Sequence, residues 1–218
     1  MSVLQFININ YSRDNKKILN NISISIDPGD FISITGPSGS GKSTILKLCC
    51  NLISADSGSI LYNDTNILEY EPSALRQRIC YCFQMPRLFG SVVEDNLIFP
   101  YAIRNMKMDI IRVETLLKNF NLKADILKEE IKNLSGGEKQ RIALIRTLLF
   151  KPDIILLDEV TSALDVENTS IVEDSINKLN KEGVTVLWVT HNPEQSRKYA
   201  NKLLRLENGI IEKLEVLR

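Results

Sequence analysis

The residues Gly36-Pro37-Ser38-Gly39-Ser40-Gly41-Lys42-Ser43 fit the spacing G-x-x-x-x-G-K-[ST]. Glycines there let the backbone curl so that successive N–H groups point inward and cradle phosphate oxygens. A helix opening behind such a loop adds the partial positive charge of its N-terminus. Lys42 reaches the β- and γ-phosphates of a nucleotide and the Ser43 hydroxyl ligates Mg2+, with Thr44 in the same binding set. A second stretch, Ile154-Ile155-Leu156-Leu157-Asp158-Glu159, is an apolar run ending in two carboxylates. Beside a phosphate loop, Asp158 holds Mg2+ directly or through water, and Glu159 polarises the attacking water as a general base. A third stretch is Leu134-Ser135-Gly136-Gly137-Glu138, continuing Lys139-Gln140-Arg141. It reads as a serine-capped helix start, with Glu138 closing the capping box and two glycines exposing backbone N–H groups, hence a second anion site. A phosphate loop by itself leaves the nucleotidase class open.

The elements that must carry these residues follow from periodicity. Residues 3–11 and 22–26 alternate as half-buried antiparallel strands do, and Pro28-Gly29 marks a turn. Phe31 to Thr35 is a strand running into the glycine loop, and Ile45, Leu48, Cys49 and Leu52 keep the spacing of one helix face. Residues 66–133 are richer in helical signals; Ser91 with Glu94 has the spacing of a capping box, as does Ser135 with Glu138. A helix over 138–150 puts Ile142, Ile145 and Leu149 on one face. A buried strand (153–158), a helix (166–181) and a strand (184–190) follow, and Asn208-Gly209 signals a terminal hairpin. These elements make an α/β fold with a mostly parallel core sheet, an N-terminal antiparallel β part and an inserted helical subdomain. We expect one domain over residues 1–218, with the insertion spanning approximately 84–150.

Composition excludes several classes. The 27 basic and 27 acidic side chains cancel, whereas a nucleic-acid-binding domain needs a basic excess, so no nucleic-acid partner is expected. With a single histidine, a His-rich metal site or two-His zinc finger is impossible. Cys49-Cys50 and Cys80/Cys82 form no CxxC and read as small apolar fillers. No stretch approaches the length of a membrane span, and the first residues lack a signal peptide's charged start and apolar run, which points to the cytosol.

Taken together, the three stretches resemble the ATPase subunit of ABC transporters. Gly36–Ser43 is similar to that family's Walker A loop, Ile154–Glu159 to its Walker B strand and Leu134–Glu138 to its signature. The resemblance runs from residue 3 to Leu214 and implies further assignments. Gln84, after the run Ile79–Phe83, stands where the family has its Q-loop glutamine, which senses Mg2+ and the attacking water. Ser162-Ala163-Leu164-Asp165 resembles the D-loop that crosses the dimer interface. His191, after Trp188-Val189-Thr190, matches the switch histidine at the γ-phosphate, and Tyr11 resembles the aromatic residue that stacks on adenine. The implied fold is that of the P-loop NTPases and the implied reaction is ATP hydrolysis, with ATP and Mg2+ bound. The resemblance also implies a homodimer in the ATP-bound state. Each ATP then lies between one chain's phosphate loop and the other's Ser135-Gly136-Gly137. A separately encoded integral membrane permease is implied too, holding the chain on the cytoplasmic side, peripheral to the inner membrane.

Within the family, Arg87 to Leu97 resembles the pattern of exporter-type ATPases. Ile98 to Asn105, Ser135 to Arg141 and Val186 to His191 resemble bacterial ATPases of the iron-export type. Val160 departs from the proline common after the paired carboxylates, a departure that fits that subgroup. The rival classes are an importer ATPase for amino acids or inorganic ions, and a non-transport ABC ATPase. The latter is disfavoured because no heptads and no zinc ligands lie between the phosphate loop and the signature.

Overall fold

The computed structural model describes residues 2–217. In chain order the first strands are β1 (Leu4–Arg13), β2 (Lys16–Ile26) and β3 (Phe31–Thr35), then helix α1 (Lys42–Cys49), β4 (Ser57–Tyr62) and β5 (Thr65–Asn66). Next come α2 (Pro72–Arg78), β6 (Ile79–Cys82), α3 (Val93–Ala102), α4 (Ile110–Asn119) and α5 (Gly136–Leu148). The chain closes with β7 (Ile154–Asp158), α6 (Val166–Lys181), β8 (Thr185–Val189), α7 (Pro193–Lys198), β9 (Lys202–Glu207) and β10 (Ile210–Val216).

Two compact units divide the chain. The first takes the residues up to Tyr81, Pro152–Glu159 and those from Asn180 onward. It contains an antiparallel sheet ordered β2-β1-β4-β5 and a six-stranded sheet ordered β10-β9-β3-β8-β7-β6. In the latter, β3 pairs in parallel with both β8 and β9, and β7 in parallel with β8. All five residues of β7 and of β8 are buried. Central parallel strands read as continuous apolar runs for that reason, because side chains on both faces leave water. Ile34 and Asp158 are both in register with Val189, so β3, β7 and β8 end side by side. The loops after β3, β7 and β8 leave that shared edge, the end at which open parallel sheets bind their ligands.

Two local expectations shift in this unit. The strand expected over 22–26 extends back to Lys16 because Tyr11, Ser12 and Arg13 of β1 pair with Leu19, Lys17 and Lys16; sheet pairing overrides a segment without clean alternation. Helix α1 stops at Cys49, since Asn51 takes a left-handed φ of 50°. Leu52 is thereby left 40% exposed, whereas Ile45, Leu48 and Cys49 are buried as expected. The four cysteines are free thiols, three of them buried. Burial pushes the thiols of Cys50 and Cys82 up to about 11, which suits packing rather than reactivity.

The second unit comprises Cys82–Lys151 and Val160–Leu179. Helices α3 and α4 both pack on α5. Val93, Leu97 and Tyr101 of α3, Val113 and Leu117 of α4, and Ile142, Ile145 and Leu148 of α5 are all buried. Arg112 donates to the Leu148 carbonyl at 3.0 Å, satisfying an end group of α5. The cap expected from Ser91 and Glu94 is displaced by one residue. Because α3 begins at Val93, Asp95 occupies the third position and accepts from the backbone N–H groups of Ser91 (2.7 Å) and Val92 (3.0 Å). Among the described residues no helix is long and apolar enough to cross a membrane.

Candidate active site

The phosphate loop leaves β3 and re-enters at α1. Gly36 takes φ +140°, and a Cβ there would fall 2.0 Å from the Leu206 carbonyl of β9, so only glycine lets the loop lie against that strand. Gly41, at φ +103°, lies where a Cβ would come 2.5 Å from a Leu19 methyl. Leu19 is also the register partner of Tyr11, which is half-buried against the core. Pro37, Ser38 and Gly39 are exposed, whereas Ser40 is buried and its hydroxyl has no hydrogen-bond partner in the protein. A buried, orphaned hydroxyl in the loop suits an anion that brings its own oxygens. Lys42 folds back over the loop and donates to the carbonyls of Gly36 and Pro37, both at 2.9 Å. Desolvation lowers its pKa, opposed by the negative charges of Glu159 and Asp158.

Parallel pairing of β7 with β8 brings the remaining groups to this loop. The Ser43 hydroxyl donates to Asp158 Oδ1 at 2.9 Å, and the Tyr81 hydroxyl donates to Asp158 Oδ2 at 2.6 Å. A serine hydroxyl and a carboxylate are hard oxygen donors, the set that holds Mg2+ when phosphates and waters complete its octahedron, so these residues fit the ion. Glu159 adopts φ +49° and its N–H donates to the Val189 carbonyl at 3.1 Å. That turn swings its carboxylate toward β8, where Oε1 meets His191 Nε2 at 2.9 Å. His191 follows β8 at a turn fastened by the Asn192 N–H on Thr190 Oγ1 (3.1 Å), just before Asn192 caps α7. Lys42, Ser43, Asp158, Glu159 and His191 thus gather in one unit. Tyr81 joins them, although reading the sequence did not single it out. Its signal was its place on β6, the neighbour of the carboxylate strand β7.

The other expected residues lie in the second unit. Gln84 is exposed in the bend just after β6. Ser135 caps α5, its Oγ accepting from the Glu138 N–H at 3.2 Å, while Glu138 Oε2 accepts from the Ser135 N–H at 2.8 Å and from its hydroxyl at 2.7 Å. These hydrogen bonds, with those of the side chain first, hold the Glu138 carboxyl below the usual range. Leu134 is buried beneath the turn, whereas Ser135 and Gly136 face solvent. A Cβ on Gly137 would lie 3.3 Å from Leu164, so this helix start packs against the Ser162–Asp165 loop. Asp165 Oδ1 accepts from the Asn168 N–H at 2.8 Å and opens α6, and Asn168 is also gripped by Arg141 of α5.

A phosphate loop, paired carboxylates at the end of a buried strand and a capped glycine helix start together define a nucleotide-hydrolysing cassette. The ABC transporter family profile matches residues 19–162, and the chain belongs to that family: it is an ABC ATPase that binds and hydrolyses ATP. It is 46% identical over 206 residues to the probable iron export ATP-binding protein FetA of Escherichia coli K12, covering 94% of this chain and 91% of that one. It is 33% identical over 218 residues to the spermidine/putrescine import ATP-binding protein PotA of Mycoplasma mycoides, covering 98% of this chain and 61% of the relative. Among solved structures, the dimeric ATP-binding cassette MJ0796 in a post-hydrolysis state with ADP and Pi superposes with a TM-score of 0.89 at 29% identity, over 99% of each chain.

Proposed function

We propose that the chain is the ATP-hydrolysing half of a homodimer that drives a separate membrane permease, with iron or another metal ion moved outward as cargo. The observation that carries the hydrolytic reading is the 2.9 Å contact between Glu159 and His191 beside the Lys42 loop. In this reading the loop N–H groups and Lys42 bind the phosphates, and Lys42 exchanges its two carbonyl partners for phosphate oxygens. Ser43 and Asp158 would hold Mg2+, which when bound would supply positive charge for the phosphoryl oxygens; Gln84 keeps the Mg2+-sensing role that the family resemblance implies. Glu159 takes the proton of the attacking water, and His191 keeps that carboxylate aimed. Tyr11 stacks on the adenine, and Gly36 to Thr44 line the phosphates.

The signature Leu134–Glu138 acts on the nucleotide of the partner protomer, with Ser162–Asp165 at the interface between protomers. Dimeric MJ0796 supports this arrangement, as does the chemistry of two anion sites that each enclose one side of a phosphate. We read the two units as one ATPase cassette over residues 1–218, the helical part being the insertion at approximately 84–150. In this reading the chain works in the cytoplasm, held at the inner membrane by its permease.

Similarity to FetA supports the export of iron, while similarity to PotA supports import of a different cargo. Inside-out vesicles holding the chain with its permease separate the two. ATP added outside drives Fe2+ into the lumen if the system exports. ATP-driven loss of a preloaded solute marks an importer, and no metal movement in either direction overturns the metal cargo.

A further inference from the structure

Asp158 is buried, and each of its carboxylate oxygens accepts one hydroxyl: Oδ1 from Ser43 at 2.9 Å and Oδ2 from Tyr81 at 2.6 Å. The carboxylate torsion of aspartate is broad and roughly two-fold, so a single donor leaves the plane of the group free to rock. Two donors on opposite oxygens remove that freedom. The second donor comes from a different element, β6, which flanks β7 at the sheet edge. Ser43 stands on the phosphate-loop helix α1 and Tyr81 on β6, so the carboxylate is held between the loop and the sheet edge.

We infer that Tyr81 is a positioning residue for the divalent cation: its phenol occupies Asp158 Oδ2 and keeps Oδ1 turned toward Ser43, the other residue that would hold the ion. This rests on the assignment of Ser43 and Asp158 to Mg2+. Outer hydrogen bonds to a ligating carboxylate set its orientation and basicity, and their loss costs about 10- to 100-fold in metal affinity. A phenylalanine at this position keeps the ring and its packing but leaves a buried carboxylate oxygen without its donor.

The test measures two affinities in the full chain. ATP binding in EDTA reports the phosphate loop alone, and Mn2+ binding to the ATP complex, followed by electron paramagnetic resonance, reports the cation site. For Tyr81→Phe we expect ATP affinity in EDTA within about twofold of wild type and Mn2+ affinity lower by about tenfold or more. The matched control is Tyr62→Phe, which removes another phenol–carboxylate hydrogen bond, that of Tyr62 to Asp153, and should leave Mn2+ binding unchanged. In an Asp158→Asn background, Tyr81→Phe should add nothing further. Unchanged Mn2+ affinity in Tyr81→Phe, an equal fall in both affinities, or failure of that variant to fold overturns the inference and leaves the phenol a packing group. If Asp158→Asn alone leaves Mn2+ binding intact, it is the cation assignment itself that fails, so the two failures are separable.

Discussion

Glu159 stands on backbone that a glutamate seldom adopts. Its φ of +49° puts a branched-off carboxylate in the left-handed region, at a cost on the order of 1–3 kcal/mol for a residue with a side chain. The N–H of Glu159 on Val189 and the buried strands on either side hold it there. The result is a carboxylate turned toward His191 instead of continuing along β7. Replacement by glutamine preserves shape and torsion but cannot take a proton. Glu159→Gln is therefore expected to lower kcat by about 100-fold or more while leaving ATP binding intact. Phosphate release and equilibrium dialysis read the two quantities, and normal turnover would remove Glu159 from the role of base. Lys42 is a second case. Its ammonium is the cation that bridges Gly36 and Pro37, so Lys42→Ala is expected to weaken ATP binding by about tenfold or more. Unchanged affinity in a fluorescent-nucleotide titration would refute the loop assignment.

At the scale of elements, helix starts carry much of the electrostatics. Asp95 and Asp165 accept backbone N–H groups at the openings of α3 and α6, and Glu138 accepts the Ser135 hydroxyl and N–H at the opening of α5; those hydrogen bonds hold their carboxyls below the usual range. A carboxylate lowered by folding contributes stability that is present above its unfolded pKa, about 4, and lost as pH falls through the lower folded value. Helices of the second unit should therefore loosen on acidification below about pH 4, measurable as earlier loss of amide protection in α5 than in β7 and β8. Glu138→Gln should flatten that dependence for α5, and an unchanged acid profile would discount the cap. Ser135→Ala removes the reciprocal partner and is expected to cost about 1 kcal/mol of stability at neutral pH, read by urea unfolding.

Over the whole molecule, the charge count and the chemistry lie at different levels. The chain has no net charge, so the proposed anion affinity has to be local, made by loop N–H groups, one lysine and a capped glycine helix start. In the proposed reading each anion site encloses one side of a nucleotide, which is the physical case for a second copy. Specific ATPase activity should consequently rise with protein concentration and reach a plateau as the dimer saturates. Ser135→Arg should retain ATP binding at every concentration but lose that rise, because the bulky cation blocks the face offered to the partner. A specific activity independent of dilution, together with an active Ser135→Arg, would place the whole reaction within one protomer.

Much of this arrangement was written in local sequence. The spacing of Gly36 to Ser43, the apolar run before Asp158-Glu159 and the capping box at Ser135-Glu138 each lie within a few residues, so short-range geometry determined them. So did the parallel core, because runs such as Ile154–Leu157 and Val184–Val189 bury both faces only between other strands. Features that join distant positions were decided by tertiary structure. Tyr81 meets Asp158, 77 residues away, only because β6 lies at the edge beside β7. The left-handed turn at Glu159 depends on the carbonyl of Val189 across the sheet. The cap moved from Glu94 to Asp95 because packing chose the first turn of α3, and β2 lengthened because β1 was there to pair with it. Local propensity selects what a segment is able to form, but the partner that satisfies a hydrogen bond over such distances exists only once the chain has closed on itself.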